Sequence, residues 1–151
     1  MVLPEVGERI DVGSTQRFIY PGEFSTLTLP EFPAAISERD RFDVTVCLSF
    51  TVNEYGETTD IRREDAADPA CDSAVGRPSL FDAAAEAVES WEFLAAAICD
   101  YDTVEHQRAD DDSCKSARSV TPIPVRLAWA FRFKADGAER VVSTRRRQVT
   151  D

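Results

Sequence analysis

Histidine is almost absent from the chain. His106 is the only one, and it lies between Glu105 and Gln107 with no nucleophile at a recognisable spacing. A histidine-based acid–base or nucleophilic centre therefore has nothing to be built from, and no enzyme is expected. Metal ligands are scarce too: the four cysteines, Cys47, Cys71, Cys99 and Cys114, have no C-x-x-C spacing, so a zinc site is not expected. No apolar run approaches the roughly 20 residues of a membrane-crossing helix. Neither a signal peptide nor a lipidation motif opens the chain. Two readings of that stay open: an export segment or anchor lies upstream and is missing here, or the chain begins here naturally. Positive charge is also short, with 17 Lys and Arg against 28 Asp and Glu and a net charge of −11. An acidic surface repels phosphate, which argues against a nucleic-acid binder. It leaves a cationic partner and a merely well-solvated acidic surface as equal readings.

What is present is a core. Apolar residues make up 43% of the 151, too many for a disordered chain and enough for one domain. The clearest pattern is "RFDVTVCLSFTVNEYGE", where Phe42, Val44, Val46, Leu48, Phe50 and Val52 alternate with polar or small residues. Strict alternation predicts a strand with one buried face. Gly56 suits a turn with positive φ, and "TTDIRRE" returns as a second strand anchored by Ile61. In "SLFDAAAEAVESWEF", Leu80, Ala84, Ala87, Val88 and Trp91 fall on one helical face, and Ser79 with Asp82 fits a capping box that starts the helix. Phe93 is expected to follow in extended chain and turn inward. "TPIPVRLAWAFRFKADG" predicts one further strand, with Val125, Leu127, Trp129, Phe131 and Phe133 inward and Arg126, Ala128, Ala130, Arg132 and Lys134 on the opposite face. The Asp136–Gly137 step marks a turn into a possible last strand from Glu139 to Thr144, ahead of a basic tail.

The remaining segments read as connections. Residues 1–31 form an extended lead-in, in which "RFIY" and "STLTL" are each a candidate short strand. The run from Asp100 to Ser119 is an acidic loop. "DYDTVE" and "DDD" are rich in carboxylates, yet the D-x-D-x-D-G spacing of a calcium loop is missing, so no metal or cofactor is expected. An even cysteine count without metal spacing predicts disulfides and an oxidising compartment, with four free thiols as the alternative. Cys99–Cys114 is favoured because it closes the polar loop "CDYDTVEHQRADDDSC"; Cys47–Cys71 follows only by elimination. One helix across one face of a small antiparallel sheet of three to four strands, an α+β fold, is the expected architecture.

Taken in order, these segments resemble the C-terminal domain of TonB, the energy transducer of Gram-negative bacteria. "FPAAI" is similar to the segment before that domain's first strand, and "VTVCLSFTVNEYGETTDI" to its hairpin. "LFDAAAEAVESWEF" is similar to its helix, and "PIPVRLAWAFRF" to its last core strand. The resemblance covers residues 32–136, with the Cys99–Cys114 loop as an insertion and residues 137–151 beyond it. It implies a periplasmic domain that binds a short extended peptide of an outer-membrane receptor by strand addition and couples it to inner-membrane energy. On that reading the Arg126–Lys134 strand is the docking edge, Phe32 and Pro33 help hold the partner, and Arg126, Arg132 and Lys134 meet its acidic groups. The alternative for those cations is an ordinary solvated sheet face. A stand-alone periplasmic interaction or scaffold module, contacting partners through the acidic loop, is the second expectation, and a homodimer is compatible with either.

Overall fold

The twelve residues Arg41–Val52 (β3) pair antiparallel with the twelve residues Val125–Asp136 (β8) over their whole length. A computed structural model describes residues 13–24, 26–34, 36, 39–64, 71, 78–110, 114–137 and 139–147. In it, β3 and β8 form the centre of a four-stranded antiparallel sheet completed by Thr58–Arg63 (β4) and Glu139–Arg147 (β9), in the order β4-β3-β8-β9. The alternation in both long strands produces this pairing. It puts Val44, Val46, Leu48, Phe50 and Val52 on the same face as Val125, Leu127, Trp129, Phe131 and Phe133, and all ten are buried.

The helix Pro78–Glu89 (α1) covers that face with Leu80, Ala84 and Val88. It begins at Pro78, one residue before the expected capping serine. Proline is well tolerated in the first turn because it lacks only an amide hydrogen that has no partner there. Small side chains bring the helix close to the sheet, and the two aromatics after it fill the space beyond. Trp91 lies 5.2 Å from Trp129 and 5.6 Å from Phe131 between ring centroids, and its indole N–H donates to the Thr28 carbonyl at 2.8 Å. Fully burying a ring such as Phe50, with no exposed surface, contributes about 2–3 kcal/mol. The Thr58 hydroxyl donates to the Val88 carbonyl at 2.7 Å, satisfying one of the last acceptors of the helix.

The expected architecture of one main helix over a single small sheet is not what the chain forms. Most described residues are in strands, arranged in three antiparallel sheets with two short helices. The extra strands come from segments whose sequence shows no period. In the lead-in, Gln16–Ile19 (β1) pairs with Ala96–Asp100 (β6), which pairs in turn with Ser119–Ile123 (β7). Gly22–Glu23 (β2) pairs with Phe93–Leu94 (β5). "STLTL" is not a strand in its described residues; Leu27 packs against the core instead. Within the acidic loop, Val104–Ala109 (α2) carries the exposed His106 and is capped by the Thr103 side chain. The expected single strand from Thr121 onward divides at Pro124 between two sheets.

Both disulfides form, Cys99–Cys114 across the mouth of the β6–β7 excursion and Cys47–Cys71 on the far side of the four-stranded sheet. They point to an oxidising environment. Among the described residues no helix is long and apolar enough to cross a membrane.

Gly56 and Gly137 both hold positive φ, +82° and +66°. A Cβ on Gly56 would lie 1.9 Å from the Phe93 carbonyl oxygen, whereas one on Gly137 meets nothing within 4 Å. Gly56→Ala is therefore expected to cost more than about 2 kcal/mol, and Gly137→Ala about 1 kcal/mol, the bare penalty of a left-handed alanine. Urea midpoints of the two variants check this; equal losses would contradict the close approach of turn and strand.

Candidate functional site

The face of the four-stranded sheet turned away from α1 carries the polar members of each strand. Arg126, expected there as an open cation, is instead 4% exposed. Its guanidinium donates to Ser49 Oγ (3.0 Å), Thr51 Oγ1 (3.2 Å), Asp60 Oδ2 (3.0 Å) and the Asp60 carbonyl (2.9 Å). Ser49 in turn donates to Glu64 at 2.6 Å. Asp60 reaches Arg126 because β4 contains a bulge. Ser49 pairs with Arg62 and Thr51 with Thr59, so Asp60 and Ile61 together oppose Phe50, and Asp60 takes a φ of 51°. That conformation is tolerated by aspartate better than by most residues. It turns both the carboxylate and the carbonyl of Asp60 onto one guanidinium.

Ala128 and Ala130 are buried as well, and Ala130 clusters with the Cys47–Cys71 bridge. Arg132 forms a two-pronged ion pair with Asp43 of β3. Lys134 is exposed. Phe32 is not a free contact for a partner: its ring stands edge-on to Phe42 and Phe133, and the Arg140 guanidinium lies 5.4 Å above it. Pro33 accepts the Ile36 amide and lines an open groove of about 680 Å³ between the lead-in and α1. The seven residues expected to bind a partner are thus not gathered at one site. Arg126, Ala128 and Ala130 are interior, Phe32 packs on the core, and Arg132 is engaged; of the three basic residues Lys134 is exposed and, among the described residues, has no ion pair.

The strand bearing them is not an edge either. β8 is flanked by β3 on one side and, from Ala128 to Asp136, by β9 on the other. The expected docking edge on Arg126–Lys134 is occupied from Ala128 onward, because the chain's own last strand takes the hydrogen bonds there. The outer edge is β9 itself. Among the described residues it pairs with β8 alone, and no backbone hydrogen bond leads from it to any other segment. It runs nine residues without proline or register shift, lacking the bulges and prolines that commonly blunt an edge. The opposite edge, β4, is six residues long and kinked at its bulge. β9 exposes Val141, Ser143 and Arg145 on the polar face, while Arg140 reaches over the other face and donates to the Ile36 carbonyl at 3.1 Å. Near its end, Arg146 lies close to Tyr20 and Glu23, and partial desolvation pulls it below the usual arginine range.

His106 joins no cluster, and among the described residues no group of three or more potential ligands surrounds a metal position. No family model, curated protein or solved structure matches the chain.

Two carboxylates on the polar face are held below their ordinary range, Asp43 chiefly by the hydrogen bonds from Arg132 and Asp60 chiefly by that from Arg62, with Arg126 adding to it. A carboxylate depressed in the folded state contributes stability that is complete above its unfolded value and is lost as pH falls through the folded one. Denaturant midpoints are therefore expected to fall progressively below about pH 4, and to fall less steeply in Asp43→Asn/Asp60→Asn. An identical pH slope in the double variant would rule out these pairs as the source.

Proposed function

We propose that the protein is a peptide-capturing domain of TonB type, working in the periplasm, which takes an extended segment of an outer-membrane receptor as an added strand on β9 and transmits force along it. The observation that carries this reading is the regular nine-residue edge of β9, which among the described residues pairs with β8 alone. An extended peptide laid along such an edge gains main-chain hydrogen bonds whatever its sequence, and its alternate side chains meet those of the sheet. The sequence resemblance supplies the class of partner. The disulfides support an oxidising compartment of which the periplasm is one.

The sheet is suited to bearing load. A peptide pulled along its own axis loads its hydrogen bonds together, and the tension passes from β9 through β8 into the twelve-residue pairing with β3. Cys47 in β3 is covalently tied to Cys71. The docking strand differs from the one the sequence suggests, but the mode of recognition is the same, moved outward by one strand.

The experiment is a titration of isotopically labelled protein with a receptor-box peptide of the TonB-dependent type, followed by amide chemical shifts and hydrogen exchange. Shifts and slowed exchange are expected along Glu139–Arg147, with smaller changes in β8. Changes confined to the lead-in or to β4, or no saturable change at all, would overturn the reading.

A further inference from the structure

The polar face beside β9 contains a depression of about 350 Å³. Two rungs that share this face, with the Val46–Phe131–Thr144 rung between them, frame it: Thr45, Arg132 and Ser143 on one, Cys47, Ala130 and Arg145 on the other. Its floor is the Ala130 methyl, with the buried Cys47–Cys71 bridge beside it. The gap is left where this small residue meets Arg132 along β8 and Arg145 across the sheet. Arg132 is fixed in place by Asp43, which engages its Nε and one terminal nitrogen and leaves the other edge of the guanidinium unused by that pair. Arg145 is exposed and, among the described residues, has neither a hydrogen bond nor an ion pair. Ser143, also exposed and without a hydrogen bond, supplies a hydroxyl between the two arginines.

We infer that this depression is a carboxylate subsite, and that it reads an acidic side chain of the strand captured on β9. The inference rests on the strand-addition reading and assigns it a specificity. On an added strand, the residue opposite Ser143 has its Cβ about 5 Å away on the same face. Serine is short enough for a glutamate at that position to lean across it toward Arg145 and the open edge of Arg132. The neighbour two residues along the peptide then meets Val141, 58% exposed, and favours an apolar side chain. In a chain of net charge −11, a pair of arginines that among the described residues engages a single carboxylate, Asp43, is what makes an acidic ligand acceptable.

The test uses the acetylated, amidated heptapeptide Thr-Val-Thr-Glu-Thr-Val-Thr and its Glu→Gln counterpart. Binding to the full chain is measured by calorimetry, and the site by β9 amide exchange and the Arg145 Nε–H signal. The glutamate peptide is expected to bind about tenfold more tightly, as for a charge-assisted hydrogen bond. Arg145→Gln should erase that preference, and so should Ser143→Leu, which blocks the path while keeping the arginine. Equal binding of both peptides, with β9 amides protected, would overturn the subsite and leave strand addition standing. If neither peptide protects β9 while acetate shifts Arg145 Nε–H saturably, strand addition fails and the carboxylate site survives. A response to phosphate but not to acetate overturns the carboxylate assignment.

Discussion

Everything in this molecule depends on the pairing of β3 with β8, residues roughly a domain apart in sequence brought into register over twelve rungs. The two strands carry matching alternation, and that makes the pairing unambiguous, because a slip of one residue would turn every phenylalanine and valine to the wrong face. On one side the pairing creates the apolar surface that α1, Trp91 and Phe93 cover. On the other it creates the polar ladder in which Arg126, Ser49 and Thr51 meet. Neither face exists without the other.

The two faces are stabilised by different physics. The helix side depends on area removed from water and on aromatic contact, which tolerate small shifts. The polar side depends on geometry: a buried guanidinium is costly unless each of its hydrogens finds an acceptor, and here a β-bulge turns an aspartate to provide two of them. That rigidity also fixes the shallow depression over Ala130. Arg132 stays in place because Asp43 holds it, while Arg145, one strand nearer the edge, stays available.

How much of this was legible in the residues depends on length and period. β3 and β8 are long enough for alternation to declare itself, and α1 shows its inward face through Leu80, Ala84 and Val88. Both disulfides agree with the pairing argued from loop closure and elimination. The β1, β2, β5, β6 and β7 strands are five residues or fewer, and their stability comes from a partner segment distant in sequence, so apart from "RFIY" in β1 and the extended Phe93 in β5 nothing local marks them. That is why a fold expected to have one helix and one sheet turned out to have three sheets. The burial of Arg126 was equally hidden: alternation assigns a side to each residue but cannot say what lies across that side. The role of β9 was half visible, since Asp136–Gly137 announced the turn, but no residue pattern announces that the strand covers β8 from Ala128 onward and becomes the rim.

Each disulfide belongs to a small cluster separate from the main apolar core. Cys47 and Cys71 group with Ala130, and Cys99 and Cys114 with Tyr101. The main core therefore includes neither bond: its packing is apolar contact alone. Reduction would take no side chain from the main apolar core, although Cys47 lies in the central strand β3.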